Sequence, residues 1–379
     1  MATHRLSVTS STGSGVHNLF IIRAQRSVSS ILTRFHAGYF RITFSLGGQA
    51  LLWKILIETN DPHDRTVLLR LPRSVCTIML ILVWAISLLI LIFFSFFFIL
   101  RCFFRFKMMK SEFLHHVGVN YLFAPWISWL LLLQSAPFIS PSNFSYIILW
   151  WIFAVPIVVL DVKIYGQWFT KGKRFLTAVA NPTSQLSVIG NLVGARAAAK
   201  MNWQEVSVFL FSLGMVHYLV LFVTLYQRLS GGDRLPAMLR PVFFLFIAVP
   251  SMASLTWDSI AGSFDTVSKM LFFLSLFIFI SLVCRPALFK KSMRRFNVAW
   301  WAYSFPVTSL ALASAEYAQQ VKGGIPHFIM LFLSTLSVFL IFALFLFTLF
   351  NSNMLLLDDD PLLTTTLPII HNSSSTPPS

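Results

Sequence analysis

Apolar runs too long for the strands of a soluble sheet recur along this chain, separated by short stretches where Arg, Lys, Ser and Pro gather. The run TIMLILVWAISLLILIFFSFFFIL at 77–100 carries no charge and is long enough, at about 1.5 Å of rise per helical residue, to cross a hydrocarbon layer about 30 Å thick. Backbone groups in lipid must be satisfied within their own segment, so such runs predict helices. Ten apolar segments follow one another at 36–57, 76–100, 117–138, 146–168, 180–200, 206–227, 241–262, 268–289, 298–319 and 327–350. The pattern predicts an all-α membrane domain over 35–350, with ten transmembrane helices. The polar ends, 1–34 and 351–379, read as disordered tails.

The segments are not alike. The third, fifth, seventh and ninth begin at intervals of roughly sixty residues and contain Pro125, Pro182, Pro250 and Pro306, while the first has Gly47 and Gly48. Even-numbered segments mostly lack such breakers, Pro156 being the plain exception and Gly214 a milder one. Any single Pro or Gly is ordinary in a membrane helix, where neighbours satisfy the freed carbonyls. Breakers in every odd segment predict something more: five repeated helical hairpins, with an inner ring of five kinked helices around a pore and an outer ring of five straighter ones. Gly190 and Gly194 of the fifth segment, with Ala302, Ser304, Ser309 and Ala313 of the ninth, would give a small, weakly binding lining, which fast conduction needs. Phe305 is the candidate gate, because Pro306 restricts the backbone of the residue before it and a bulky ring can close a narrow apolar passage.

Composition supports the membrane reading: 56% of residues are hydrophobic and 11% charged, with a mean hydropathy of +0.75, too little polar surface to cover one soluble core. The net charge of +16 could suggest nucleic acid as a partner, but the basic residues flank apolar spans and build no basic face, so the expected partner is the lipid bilayer and not nucleic acid. Lys and Arg concentrate in alternate connections, as at Arg101, Arg105, Lys107 and Lys110, and at Lys290, Lys291, Arg294 and Arg295. This bias puts both termini in the cytoplasm. It also places Asn143-Phe144-Ser145, a glycosylation triplet, outside.

Cys76, Cys102 and Cys284 have no paired spacing, and His115 and His116 are adjacent, about 100° apart on a helix, so no disulfide, metal site or cofactor is expected. No GxSxG, HExxH or P-loop occurs, and the chain does not read as an enzyme. Arg41, Lys54, Asp161, Lys163, His217, Asp258 and Glu316 fall inside drawn spans, mostly near their ends, where long side chains reach the interface. They make no evident mid-membrane relay, which argues against a proton-coupled carrier. Basic residues at the cytoplasmic mouth would favour anions as the permeant species.

The stretches LDVKIYGQWF (160–169), NPTSQLSVIGNLVGA (181–195), SLGMVHYLVLFVTLYQRL (212–229) and SLVCRPALFKKSMRRFNVAWWAYSFP (281–306) resemble the plant slow-type (S-type) anion channels, the guard-cell channel and its homologues. Those channels are distant relatives of bacterial tellurite-resistance and dicarboxylate-transporter proteins. The likeness covers about 35–350, and FHAGYFRI (35–42) makes it most similar to the short homologues. The resemblance implies a multi-pass protein of the plasma membrane, a homotrimer with a pore in each protomer, passing chloride and nitrate passively. It also implies that Phe305 occludes that pore. Two alternatives stand beside it: an electrically silent regulatory subunit forming a hetero-oligomer with a longer S-type homologue, and a coupled carrier of organic anions.

Overall fold

The computed structural model describes residues 31–59, 73–115, 118–171, 181–230, 237–290, 293 and 296–351, and among them every regular element is a helix. The tail readings at 1–30 and 352–379, together with His116, Lys291, Arg294 and Arg295, lie outside the described residues.

Ten principal helices carry the architecture: α1 (Arg41–Thr59), α2 (Arg73–Phe104), α3 (Phe123–Ser135), α4 (Phe144–Lys171), α5 (Gln185–Lys200), α6 (Gln204–Ser230), α7 (Leu245–Ala261), α8 (Thr266–Val283), α9 (Ser304–Val321) and α10 (Gly324–Phe350). Odd-numbered members begin differently from the segments drawn on hydropathy. A short 3-10 turn leads into four of them, at Ala37–Phe40, Pro182–Ser184, Ala237–Phe244 and Val298–Tyr303, while a single helical turn, Gly118–Tyr121, precedes α3. Hydropathy cannot see these starts, because they are set by side chains that satisfy the orphan N–H groups of a helix end. The Gly38 amide donates to His36 Nδ1 at 3.0 Å, the Thr183 amide to Asn181 Oδ1 at 2.9 Å, and the Ala299 amide to Asn297 Oδ1 at 3.0 Å. The Gly118 amide donates to His115 Nδ1 at 3.3 Å.

Prolines follow the same logic. Pro182 opens its 3-10 turn, and Pro125 and Pro306 are the third residues of α3 and α9, so all three stand in first turns, where the missing N–H has no intrahelical acceptor. Pro250 lies further inside α7, and Pro156 inside α4, each within a continuous helix.

Packing sorts the helices into two sets. α1 packs on α3, α3 on α5, α5 on α7 and α7 on α9, and α9 returns to α1. Each even helix lies against the odd helix before it, and α4 also touches α5. Among the described residues six helical segments are long and apolar enough to cross a membrane: α2, most of α4 and α6, α8, α10, and Arg240–Ala261, which contains α7. Counting the bent pair Phe106–Leu114 and Gly118–Ser135 as one span makes seven. The protein is therefore helical and built for a membrane. That criterion stops short of the ten spans drawn above because α5, at 16 residues, is short, and α1 and α9 carry Gly, Ser, Gln or Arg where a helix surrounded by lipid would carry Leu and Phe.

Candidate functional site

Phe305, the second residue of α9, is fully buried. Its ring stacks on that of Phe44 in α1, with centroids 3.9 Å apart and planes at 29°. Gly48, one turn beyond Phe44, makes the approach possible: a Cβ there would lie 3.1 Å from Phe305 Cδ2 and 3.2 Å from its Cε2. Gly47 faces α3 instead, where a Cβ would stand 3.3 Å from Leu131 Cβ. Gly190 and Gly194 serve similar close approaches, their added Cβ atoms falling 3.3 Å from Ile157 of α4 and 3.4 Å from Leu210 of α6. Ala302 and Ala313 are buried, and the hydroxyls of Ser304 and Ser309 donate to the carbonyls of Trp301 and Pro306 at 2.7 and 2.9 Å.

Three of the charges drawn one by one along the sequence, Lys54, Asp258 and Glu316, come together at the carboxyl ends of the odd helices. Lys54 Nζ donates to the Gln134 and Ala136 carbonyls at 2.9 and 3.2 Å, which satisfies the end of α3. Arg196 Nη1 donates to Gln134 Oε1 at 3.0 Å, and Gln134 Nε2 donates to the Val193 carbonyl at 3.0 Å. Glu316 lies within electrostatic reach of Arg196, Asp258, Lys200 and Glu58. Lys54, Gln134, Arg196, Asp258 and Glu316 belong to α1, α3, α5, α7 and α9 respectively, so the five odd helices run parallel. Arg196 is the residue that sequence reasoning missed, although it lies inside the fifth drawn segment, 180–200. The available signal was a lone arginine inside the small-residue stretch GARAAAK.

The amino ends converge as well. Gly118–Tyr121 touches Pro182–Ser184, which touches Ala237–Phe244, which touches Val298–Tyr303, which touches α1. None of these helices or leading turns carries an acidic residue in its first turn. Five parallel macrodipoles therefore point their positive ends the same way, and the buried carboxylate of Asp161, on α4, meets that of α5 through Ser187. Gln185 sits there, fully buried, with both ends of its amide unpartnered. Nearby, Arg41 donates Nε to the Gly38 carbonyl at 2.8 Å and lies over the Tyr121 ring, 5.3 Å from its centroid.

A last polar cluster joins α4, α5 and α6. Asp161 accepts from Ser187 Oγ at 2.5 Å and from Asn191 Nδ2 at 2.7 Å, and Ser187 Oγ is 3.0 Å from His217 Nδ1. A Ser, a His and an Asp in contact suggest a hydrolase triad, but here the hydroxyl lies between carboxylate and imidazole, whereas a triad needs the imidazole in the middle. All three are buried, so the group ties helices together. Among the described residues no three His, Cys, Asp or Glu side chains are grouped to hold a metal ion.

Comparison with known proteins gives the same direction. The profile of the family described as "Voltage-dependent anion channel" (SLAC1) matches residues 34–349. The chain is 58% identical over 327 residues to the S-type anion channel SLAH1 of Arabidopsis thaliana, an alignment covering 86% of this chain and 84% of that protein. It is 43% identical over 326 residues to the guard cell S-type anion channel SLAC1 of the same plant, covering 85% of this chain but only 56% of that longer protein. A remoter likeness, 25% over 304 residues, links it to a tellurite resistance protein TehA homolog of Haemophilus influenzae, covering 78% of this chain and 85% of that protein. With nearly the whole helical region matched at this level, the chain belongs to the voltage-dependent anion channel (SLAC1) family.

Proposed function

We propose that this protein is a slow-type anion channel of the plasma membrane in which ten helices cross the bilayer with both termini cytoplasmic. In this reading the five odd helices are an inner ring around a pore in each protomer of a homotrimer, and the five even helices are an outer ring. Chloride and nitrate pass down their gradients, and Phe305 blocks the path. The observation that carries the reading is the seating of Phe305 against Phe44 and Gly48, between two neighbours in a closed circuit of parallel helices. In this reading the parallel amino ends of the odd helices, which carry no acidic residue of their own in their first turns, favour anions without a strongly binding charge at the gate.

Removing the ring tests the gate. Phe305→Ala should raise basal anion current by about tenfold or more, the factor that corresponds to about 1.4 kcal/mol off a barrier. Phe305→Leu should do less, since much of the bulk remains. Unchanged or lost current at normal surface expression would count against the gate. A reversal potential that follows a proton gradient, not chloride or nitrate, would instead mark a coupled organic-anion carrier.

The complete burial of Phe305 favours one further reading: the protomer is shut by itself and serves as a silent regulatory subunit in a hetero-oligomer with a longer S-type homologue. Expression alone and with such a homologue separates the two. Current from the protein alone removes the silent-subunit reading.

A further inference from the structure

Arg196 is a buried cation with no contact neutraliser among the described residues. Its side chain is 4% exposed, one nitrogen is held by Gln134, and its Nε–H is buried with no acceptor. Among the described residues the ion pair within contact distance is that of Arg101 with Glu112, and none involves Arg196. Leaving a charged donor unsatisfied in the interior is costly, so such a group marks a place that something else fills.

Helix geometry says where that place is. On α5, Ser187 and Asn191 turn toward α4 and α6 through Asp161 and His217. At about 100° per residue, Arg196, nine positions after Ser187, lies about 180° away from that packed face. Gln185, the buried amide with both ends unpartnered, falls on the same far stripe at the opposite end of the helix. The surroundings of Arg196 agree: Tyr146 of α4 is within electrostatic reach, and Gln134, Lys54, Asp258 and Glu316 come from α3, α1, α7 and α9, which are all the other members of the circuit. Glu316, eleven residues after Phe305, shares a stripe of α9 with it to within about 20°. Arg196 thus faces the space that Phe305 faces, nearer the carboxyl ends.

We propose that Arg196 anchors a binding site for a small monovalent anion at the carboxyl ends of the five odd helices, a selectivity point inside the conduction path. The proposal rests on the channel reading above for its place in the path, though not for the binding itself. Lys54 and Lys200 add positive potential, while Asp258, Glu316 and Glu58 offset it, which keeps the anion exchangeable. Weak occupancy is what conduction requires. The planar guanidinium fork suits a planar oxyanion, so nitrate binds more tightly than chloride.

The test is thermal unfolding of the purified full chain, titrating sodium nitrate or sodium chloride against gluconate at constant ionic strength. Wild type should show a saturable rise in midpoint, with nitrate half-saturating at the lower concentration. In Arg196→Gln the half-saturating nitrate concentration should rise about tenfold or more, as expected for losing a charge-assisted hydrogen bond, while Arg285→Gln, at an exposed position, should match wild type. Arg196→Lys, which keeps the charge, should retain binding and lose the preference for nitrate over chloride. The proposal is overturned if wild type shows no anion-dependent rise, if Arg196→Gln keeps the wild-type half-saturation, or if Arg196→Lys keeps the nitrate preference. The Lys variant decides the matter where the Gln variant does not fold. If Phe305→Ala passes no current while Arg196-dependent binding persists, the channel reading falls and the site stands. Current without Arg196-dependent binding gives the reverse.

Discussion

Helices α2, α4, α6, α8 and α10 expose Leu89, Val162, Val216, Phe277 and Phe328 to their surroundings, whereas among the described residues α1, α3, α5 and α7 expose no large apolar side chain, and α9 only Val321, its last residue. The buried set is the more polar one. Ser45, Gln49, Ser128, Gln134, Ser187 and Asn191 lie on odd helices with 6% or less of their surface exposed. Lipid tails are as apolar as Leu, so the hydrophobic effect does not sort helices within a membrane, and close packing and hydrogen bonds do. Odd helices can afford small and polar residues because protein surrounds them, and even helices supply the lipid-facing coat.

The sharpest way to break this comparison is to make the same deletion in both sets. Leu310 of α9 is fully buried and Leu89 of α2 is 70% exposed. Leu310→Ala should destabilise the protein by about 2–5 kcal/mol, the usual cost of a cavity in a packed core. Leu89→Ala should stay within about 0.5 kcal/mol, since lipid or detergent refills the space. Equal costs, measured by unfolding in one detergent, would show that the odd helices are no more tightly packed than the coat.

A smaller effect is expected where the two sets are joined by polar contacts. Asp161 on even α4 holds Ser187 and Asn191 on odd α5. Asp161→Leu removes the shared acceptor of two buried donors, each costing about 1–3 kcal/mol if left wholly without one. Ser187 can turn toward His217, 3.0 Å away, and Asn191 Nδ2 keeps the Ser187 carbonyl at 3.2 Å, so the total should fall near the low end, about 1–2 kcal/mol. Asp161→Asn keeps an acceptor and should cost less. A Leu variant as stable as wild type would mean that packing alone seats α5.

How far the sequence reveals this arrangement differs between the two sets for a physical reason. Even helices are sorted by transfer into lipid, which hydropathy measures, and the apolar runs at 76–100 and 327–350 fall within α2 and α10. Odd helices are set by contacts that hydropathy does not contain. The segment drawn unbroken over 117–138 is two helical pieces, Gly118–Tyr121 and Phe123–Ser135, and the caps His36, His115, Asn181 and Asn297 were readable only as acceptors placed before a helix start. The smallness of Gly190 and Gly194 is plain in the sequence, but their direction, toward Ile157 and Leu210, belongs to the packing. Phe305 stands out beside Pro306, while its partners Phe44 and Gly48 come from the other end of the chain. Arg196 lies near the end of the segment drawn at 180–200, and its meaning shows only once the neighbouring helices are placed around it.

The smallest predicted effect probes a single hydroxyl between the sets. Ser337 Oγ on α10 donates to Gln49 Oε1 of α1 at 2.9 Å and lies 2.7 Å from Thr308 Oγ1 of α9, so one even-helix side chain bridges two odd helices. Thr308 has a second acceptor in the Ser304 carbonyl at 2.9 Å, and can turn wholly to it if Ser337 is removed. Gln49 has no such alternative, because its Nε2 is already buried without a partner. Ser337→Ala should therefore cost about 0.6 kcal/mol, the average for an interhelical hydrogen bond in a membrane protein, and no more than about 1.7 kcal/mol. Thr308→Val alone and the double variant complete a cycle, measured by unfolding in the same detergent, in which the two sites should couple by less than the cost of Ser337→Ala itself. A loss well above that ceiling would reverse the order argued here, because it would make polar bridges, and not the fit of apolar side chains, the main hold of the outer helices on the inner ones.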